Sequence, residues 1–563
     1  MKNILIAIRS IFKKGRHNVM KIVSLGIGLA VGLVLIAKVY FEQSYDDFYP
    51  DRDRVYQVWA KYQQNGGELK DYPQTSGGIA PTMQQQIPEI ETVTRYTSFG
   101  DWTFTMTDTK MKYSGRCIIA DSCFFDILPR PMLIGNAKEV LSTPMYVLIS
   151  SRIAKNIGGD VIGKNFTVDN SPGRTMTIGG VFEEVPENSH SRYDVIVSMA
   201  SAGRFMWEGS PTNMLGNDRY ISYVKLHKGV NPLALEEQVR TFVNSYFPPE
   251  EQQKVGLSID FSFHKLDNLH KELPQVKRMT WILSLLAFAL IFTAVMNYIL
   301  IVISSIVNRS KEVAVHKCYG ASENNIHGMM FGEALVHIVL SLILALLLIL
   351  AFRGTVEELL ATSLDSLLLS NGSLVLLGIC ILVFFVSGFM PGSLYARIPV
   401  ASAFRNYREN KRIWKKALLL VQFVATGFLV TMLVFVARQY TFMVNDRPGY
   451  AYENLAYCGL AGVDSTSRAK ILDEVMRLPG VAAATTVYQL PFEHASGNNI
   501  LLPGGTQELF NIADLYWVGN GYLDMMEIPV IQGRSFTENV TNSRGDGRPP
   551  FRGEDEIGSG LDG

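Results

Sequence analysis

The sequence has no excess of charge of either sign and little cysteine. Lysine plus arginine and aspartate plus glutamate each number 52, so the formal net charge is zero. Proteins that bind nucleic acid through its phosphates carry a basic excess, so this balance argues against a nucleic-acid partner. The five cysteines fit neither a zinc site nor a disulfide framework. Cys117 and Cys123 either form one pair or remain separate thiols, and the sequence leaves both alternatives open.

Motifs of known enzyme classes are also missing. No GxSxG or HExxH motif occurs, and the nine histidines are scattered. The nearest approach to a phosphate-binding loop is GGDVIGKN at residues 158–165, where Asn165 replaces the magnesium-binding serine or threonine. The polar segment PENSHSRYD at residues 186–194 predicts a turn. The sequence therefore predicts no catalytic residue, no metal site and no cofactor.

Long apolar runs, in contrast, are abundant. Hydrophobic residues make up 48% of the chain, and a run of roughly 18 or more can form a transmembrane helix. The blocks that meet this criterion are Ile22–Tyr40, Trp281–Val307, Phe331–Phe352, Ser373–Leu394 and Ala417–Ala437. The first lacks a small-residue cleavage site, which favours a retained span over a signal peptide. The sequence predicts an α-helical integral membrane protein of about five transmembrane helices with extracytoplasmic α+β domains.

The basic residues predict the orientation of these spans. Six lysines and arginines precede the first span, and seven lie between the fourth and fifth spans. The loop between the third and fourth spans contains a single basic residue, Arg353. Because cytoplasmic loops carry the excess of lysine and arginine, the N-terminus and the segment 307–326 are predicted to be cytoplasmic. The large regions are then extracytoplasmic, and the protein is a multi-pass membrane protein.

Composition and span positions divide the chain into seven predicted segments. They are residues 1–21, a cytoplasmic amphipathic helix; 22–43, the first transmembrane helix; 44–275, an extracytoplasmic α+β core domain; 279–406, a domain with three transmembrane helices; 407–438, a basic segment and the fifth transmembrane helix; 439–543, a partial second extracytoplasmic core domain; and 544–563, a disordered tail of aberrant composition.

An internal repeat predicts the second core domain. FFDILPRPMLIGN at 124–136 and YLDMMEIPVIQGR at 522–534 keep aspartate, proline and glycine at matching positions without a gap. Upstream, IPEIETVTRY from Ile87 parallels LPGVAAATTVYQ from Leu478. After residue 543 a glycine-rich tail replaces the helix-forming run of the first copy. The resulting hypothesis is a truncated chain, for example by a frameshift, that has lost half a core domain and three further spans.

A polar segment separates the second and third spans: VNRSKEVAVHKCYGASENNIHGMMFGEAL, residues 307–335. Gly320 is suited to end a helix and Ser322 to cap the next. The predicted shape is an elbow, in which the second span continues into the cytoplasm, turns sharply and re-enters the membrane. The alternative is a solvated helical hairpin. Asn297 and Glu333 are candidate functional residues among the polar side chains inside the spans; helix packing is the simpler explanation for Asn297, and a transport pathway is the alternative.

The elbow resembles the R-x-x-E-[IV]-[GA]-[VI]-[RH]-K-x-x-G-A-[ST] signature of MacB/FtsX-like permeases of ABC transporters. The matching residues are Arg309, Glu312, Val313, Ala314, Val315, His316, Lys317, Gly320, Ala321 and Ser322, followed by Glu333. Residues 390–406 are similar to the ending of the family's permease domain. VLISSRIAKNIGGDVIGKNF and IGGVFEEVPENSHSRYDVIV resemble its MacB-like periplasmic core domain. The repeated unit of a span followed by a core domain resembles the arrangement in the duplicated, eight-span members of this family.

The resemblance implies a non-catalytic permease subunit of an ABC-type transporter in the inner (cytoplasmic) membrane. It also implies that the large core domains are periplasmic and that residues 279–406 are an FtsX-like permease domain. In this family a separate cytoplasmic ATPase binds the elbow, and its ATP-driven dimerisation moves the spans and the periplasmic domain during export or extrusion of a substrate, a mechanism termed mechanotransmission. The resemblance assigns ATPase coupling to Arg309, Glu312, His316, Lys317 and Gly320–Ser322, with Glu312 and Lys317 pairing to the ATPase.

Several alternatives stay open at this point. The chain is surrounded by membrane lipids, and its permease units either pair as a homodimer or form a pseudo-dimer within one chain. A periplasmic partner and the substrate are not identified. Two other functions compete: an FtsX-like regulator that transmits force to a periplasmic partner, and a membrane-anchored sensor or structural protein.

Overall fold

The computed structural model describes residues 17–64, 67–168, 171–216, 218–396, 413–445, 449–460, 463–491, 496–501, 508–533 and 535. Its α-helices are α1 (Asn18–Gln43), α2 (Ile79–Gln86), α3 (Phe124–Ile127), α4 (Ala137–Ser142), α5 (Ser151–Ile157), α6 (Glu236–Tyr246), α7 (Pro249–Val255), α8 (Pro274–Ser304), α9 (Ile306–Cys318), α10 (Glu323–Ala351), α11 (Arg353–Leu360), α12 (Leu364–Leu368), α13 (Ser373–Ala396), α14 (Ile413–Asn445), α15 (Ser465–Met476) and α16 (Tyr522–Met525). Most of the predicted N-terminal amphipathic helix and all of the predicted tail lie outside the described residues.

The β-strands are β1 (Val55–Gln64), β2 (Lys70–Tyr72), β3 (Ile90–Met106), β4 (Lys112–Ala120), β5 (Met132–Ile134), β6 (Tyr146–Ser150), β7 (Asn165–Val168), β8 (Ser171–Phe182), β9 (Val195–Ser198), β10 (Ile221–Leu226), β11 (Leu257–Lys265), β12 (Ser496–Leu501) and β13 (Glu508–Leu515). Short 3-10 helices occur at Met199–Arg204, Pro232–Leu235 and Leu266–Asn268.

Five of the described helices are long and apolar enough to cross a membrane: α1, α8, α10, α13 and α14. They contain the five predicted blocks almost entirely, which confirms the predicted fold class. A single apolar core joins the first four of these helices, with Leu29, Tyr298, Ile338 and Tyr395 among its buried members. The described side chains of α14 are mostly exposed, and none of them belongs to that core.

Glycines allow the membrane helices to approach closely. A Cβ atom at Gly28 would overlap Ala294 of α8, and one at Gly32 would overlap Ile291 of the same helix. The two glycines are four residues apart on α1 and therefore lie on one face, as in other small-residue helix interfaces in membranes. Gly392 likewise allows α13 to approach α10 closely, since an added Cβ would lie 2.6 Å from His327 Nδ1.

The region between α1 and α8 is an α+β domain built on an eleven-stranded sheet. The strand order is β11-β1-β10-β3-β4-β9-β6-β8-β5, with β2 beside β1 and β7 beside β3 and β8. The β4–β9 and β6–β8 pairs are parallel and the others antiparallel. Ile118 and Leu148 lie in one apolar cluster, whereas Ile119 and Ile149 lie in another. Because successive residues of a strand face opposite sides, the sheet is buried on both faces here.

The two copies of the sequence repeat share local structure. The matching segments both begin with a four-residue helix, α3 in the first copy and α16 in the second. Upstream, Tyr96 pairs with Ala120 across β3 and β4. The equivalent residues of the second copy, Val487 and Val518, form an antiparallel bridge. The same chain positions therefore meet in both copies.

Cys117 and Cys123 are separate thiols in this structure. Cys117 lies inside the sheet and Cys123 is half-buried at the start of α3. Burial raises the pKa of the Cys117 thiol well above its ordinary value. Of the two alternatives for this pair, the structure has the unpaired one.

Candidate functional site

The polar segment between the second and third spans folds as an elbow. A break at Ser305 separates α8 from α9, and α9 ends at Cys318. Gly320 has a left-handed backbone with φ of 85°, which a glycine adopts without strain. The Ala321 amide donates to the His316 carbonyl (3.0 Å), which closes the end of α9 in the manner of a Schellman motif. The Ser322 hydroxyl accepts from the Asn325 amide and caps α10.

One side of the elbow is buried and the other is exposed. Val313 and Ala314 are each 1% exposed and belong to the membrane core. On the opposite side, Val315 is 44% and Tyr319 is 89% exposed. These two residues are four apart, so they are neighbours on the helix surface and together form a small apolar patch. We name this patch, Val315 and Tyr319, the elbow tip.

The end of α13 braces both ends of α9. Lys317 Nζ donates to the carbonyl oxygen of Ala396 (2.7 Å), at the last residue of α13. One residue earlier, the fully buried Tyr395 donates to the Val302 carbonyl (3.0 Å), and its hydroxyl lies 3.1 Å from Ser305 Oγ. The break between α8 and α9 is thus held by the same segment that holds the end of α9.

The predicted coupling residues have different surroundings in the structure. The Lys317 ammonium is engaged within the chain, and Glu312 is half-buried on α9. His316 and Gly320 are exposed, and Ser322 is exposed but serves as a helix cap. The side chain of Arg309 lies outside the described residues. The sequence shows Val313, Val315 and Tyr319 only as apolar residues of one charged segment, and the structure separates the buried Val313 from the exposed Val315 and Tyr319.

A buried ion pair connects the first and third spans close to the elbow. Lys21 Nζ lies 3.5 Å from Glu333 Oε1, and it also donates to Asn18 Oδ1 (3.2 Å). Lys21 is fully buried and Glu333 nearly so. Glu333 was predicted as an intramembrane polar residue, whereas Lys21 was interpreted only as part of the basic N-terminal segment. The structure brings the two together.

A second polar contact lies one turn further along α10. His337 Nδ1 is 3.1 Å from the Tyr298 hydroxyl, and both side chains are buried. Asn297, the polar residue predicted in the second span, is half-buried and directly precedes Tyr298 in the chain. Glu333 and His337 are four residues apart and therefore lie on one face of the helix. In the sequence, this spacing indicates a row of polar side chains inside the bundle.

Among the described residues, no group of histidine, cysteine, aspartate and glutamate side chains has the geometry of a metal site. The features that remain are mechanical: a braced elbow, a bundle of spans and an extracytoplasmic domain that is continuous with two of those spans. This combination is that of a multi-pass membrane protein with an extracytoplasmic α+β domain.

Comparison with known proteins identifies the family within this class. The family model of the MacB-like periplasmic core domain matches residues 20–242, and that of the FtsX-like permease C-terminal domain matches residues 284–400. These two segments together cover more than half of the chain. The chain belongs to the MacB/FtsX-like permeases of ABC transporters, multi-pass proteins of the inner membrane that are generally non-catalytic and work with an ATPase.

Similar solved structures match part of the chain. They include a domain of a putative permease protein from Porphyromonas gingivalis, with 33% identity, 38% of this chain and 91% of that chain covered, and a TM-score of 0.36. The periplasmic region of MacB from Actinobacillus actinomycetemcomitans has 16% identity, 37% and 87% coverage and a TM-score of 0.26. The extracellular domain of the noncanonic ABC-type transporter YknZ from Gram-positive bacteria has 11% identity, 36% and 98% coverage and a TM-score of 0.26. No curated protein matches the chain.

Proposed function

We propose that the protein couples ATP hydrolysis by a separate cytoplasmic ATPase to movements of its extracytoplasmic domain, for export or extrusion of a substrate. Family membership supports the transporter class. The observation that carries the coupling step is the elbow, whose tip is exposed while its opposite side and both of its ends are bound to the spans. A partner that pushes on the tip therefore moves several spans at once.

The elbow tip is the proposed docking point for the ATPase. An aromatic side chain that is 89% exposed on a short helix costs free energy in water and favours burial in an apolar pocket of a partner. Glu312 and His316 lie beside the tip on α9 and supply polar contacts at its rim. In this proposal Lys317 transmits force within the permease, through Ala396, and does not pair with the ATPase.

The basic N-terminal segment and the elbow together support the proposed orientation in the membrane. The Lys21–Glu333 pair joins the beginning of α1 to the beginning of the third span, so the N-terminus and the elbow belong to the same membrane face. Six lysines and arginines within residues 1–21 support a cytoplasmic assignment of that face. The sheet domain between α1 and α8 is then periplasmic. We further propose that residues 439–543 form part of a second core domain, which the shared local structure of the repeat supports.

A binding experiment tests the docking point. The full chain in detergent is used to capture the ATP-binding subunit encoded beside it, and the bound amount is compared for wild type, Val315→Ala/Tyr319→Ala and Cys318→Ala. Cys318 is an exposed neighbour on the same turn and serves as the matched control. We expect the double variant to lose binding and the control to retain it. Equal binding by the double variant would exclude the elbow tip, and no binding by wild type would reject the ABC transporter function for this chain.

A further inference from the structure

The polar loop Glu187–Ser191 of the sheet domain reaches out of that domain to the end of the first span. Asn188 Nδ2 donates to the carbonyl oxygen of Ser44 (2.7 Å), and the Asp46 amide donates to the Asn188 carbonyl (2.9 Å). Ser189 Oγ donates to Asp46 Oδ1 (2.6 Å). The loop was predicted only as a turn, yet its side chains and backbone bind the three residues that follow α1.

A histidine of this loop is paired with a buried carboxylate. His190 Nδ1 lies 2.6 Å from Asp46 Oδ2, and Asp46 is only 1% exposed. The His190 amide also donates to the Asp46 carboxylate. A carboxylate buried to this extent needs such partners, because an unpaired buried charge is strongly unfavourable.

A second histidine and carboxylate pair lies beside the first. His270, in the loop before α8, contacts Glu42 Oε2 through Nε2, and Lys38 Nζ lies 2.7 Å from Glu42 Oε1. The ring of Tyr45 links the two pairs: it stacks on His270 with 3.7 Å between centroids and meets His190 edge-on at 5.0 Å. The first two spans are therefore connected to each other and to the loop.

The loop between the third and fourth spans joins the same cluster. Glu187 Oε2 accepts a hydrogen bond from the Ser363 amide (3.0 Å). Lys38 Nζ donates to Thr362 Oγ1 (2.8 Å). The cluster of Glu187–Ser191, Glu42, Asp46 and His270, which we name the outer joint, thus connects the sheet domain with the outer ends of α1 and α8 and with the connection from α10 to α13.

These contacts point to a mechanical role. The chain itself connects the domain to the spans only at the end of α1 and the beginning of α8, and such connections alone would let the domain swing. The loop Glu187–Ser191 lies elsewhere in the domain sequence, so it provides an independent third attachment. Its partners are mostly charged or hydrogen-bonded groups at short distance, which fix orientation better than apolar contacts do.

We propose that the outer joint is a positioning device: it holds the sheet domain in a fixed orientation on the spans and transmits their movement to the domain through the Asp46–His190 and Glu42–His270 pairs. The fixed orientation is independent of the proposed ATP-driven function, whereas the transmitted movement rests on it. His190 and His270 are positioning residues here, since they act through the carboxylates of Asp46 and Glu42.

The first test measures orientation without nucleotide. Spin labels at Leu133→Cys in the domain and Leu359→Cys on α11, both exposed positions, report one distance across the joint in lipid nanodiscs, with the native exposed Cys318 and Cys458 replaced by serine. We expect a narrow distance distribution for the otherwise unchanged chain and for His190→Gln, which keeps a donor for Asp46. His190→Leu should give a broad distribution.

The matched control is His264→Leu, since His264 stacks on Trp59 inside the sheet domain and takes no part in the joint. The distance distribution of this control should stay narrow. Thermal unfolding of each variant, followed by tryptophan fluorescence, establishes that the domain is folded. A distribution as narrow in folded His190→Leu as in the unchanged chain would overturn the proposal.

The second test adds the ATPase subunit and measures the change of the same distance on addition of ATP. We expect His190→Leu to bind the ATPase as the unchanged chain does and to lose the ATP-dependent change, with His190→Gln restoring it. A merely structural role for His190 would leave that change intact in a folded variant and would contradict transmission through the joint. Failure of the ATPase to bind even the unchanged chain would reject the proposed function. The distance distributions measured without nucleotide would then decide whether the outer joint fixes the orientation of the sheet domain.

Discussion

Lys21 of α1 and Glu333 of α10 form an ion pair of 3.5 Å with both side chains buried between the first and third spans. Burying two charges is unfavourable by itself, and their mutual attraction offsets this only while both partners are present. The pair lies close to the elbow, so it ties the first span to the part of the bundle on which the ATPase is proposed to act.

Removing one partner of this pair should destabilise the protein strongly. Glu333→Ala leaves a buried ammonium without its carboxylate, for which we expect a loss of about 3–5 kcal/mol of unfolding free energy. The double variant Lys21→Met/Glu333→Met removes both charges and should recover most of that loss. Denaturant unfolding in detergent measures both. A double variant as unstable as Glu333→Ala would show that the charges themselves are not what matters.

The brace between the elbow and α13 should affect coupling more than binding. Lys317→Met removes the hydrogen bond to the Ala396 carbonyl, a charge-assisted contact of roughly 1.5–3 kcal/mol. We expect faster amide hydrogen exchange at the end of α13 and a weaker ATP-dependent movement of the outer domain, with ATPase binding unchanged. Lys311→Met, at an exposed lysine of the same helix, is the control. Similar exchange in the two variants would argue against the brace.

The close approach of α1 and α8 should tolerate no large side chain at Gly28. Its built Cβ already overlaps Ala294, so Gly28→Leu forces the helices apart at an expected cost of about 1–3 kcal/mol or more. Gly378→Leu is the matched control, because nothing lies within 4 Å of a Cβ at that membrane glycine. Unfolding in detergent should show a lower unfolding free energy for Gly28→Leu than for Gly378→Leu. Equal stability would mean that the spans are packed less tightly than the structure has them.

Native cysteines provide a direct test of orientation. Cys318 on the elbow and Cys458 after α14 are both exposed, whereas Cys117 is buried. A membrane-impermeant maleimide should label Cys458 in intact spheroplasts and Cys318 only after the membrane is opened. Cys117 should stay unlabelled until unfolding, because burial hides the thiol and raises its pKa. Labelling of Cys318 from outside would reverse the proposed topology.

Asp51 should make a pH-dependent contribution to the stability of the sheet domain. Hydrogen bonds from Lys225 and then Arg54 lower the pKa of this carboxyl from 3.8 to about 2. Because the folded-state pKa is the lower one, the stabilisation is present above pH 3.8 and is lost as the pH falls towards about 2. Asp51→Asn should therefore lower the unfolding free energy at pH 7 by no more than about 1 kcal/mol, since the group is partly exposed. The difference from wild type should shrink below pH 4; a constant difference would assign it to another cause.

Local sequence features predicted much of the architecture. A transmembrane helix depends on the length and polarity of one continuous segment, so the five spans could be read directly. The turn of the elbow likewise depends on residues next to one another: Gly320 for the left-handed conformation and Ser322 for the cap of α10. The α+β character of the extracytoplasmic domain was likewise predicted from the sequence. These are the properties that the sequence by itself determined.

Only the tertiary structure decided which polar groups meet. The sequence displays Lys21, Glu333 and Lys317 as charges, but their partners lie far away in the chain or on the backbone of another helix. The same holds for the outer joint, where His190 finds Asp46 across more than one hundred residues. A charge is attracted to any opposite charge, so its identity does not specify its partner. The packing of the spans and the pairing of the strands bring one particular pair together, and with it the mechanical connections on which the proposed function depends.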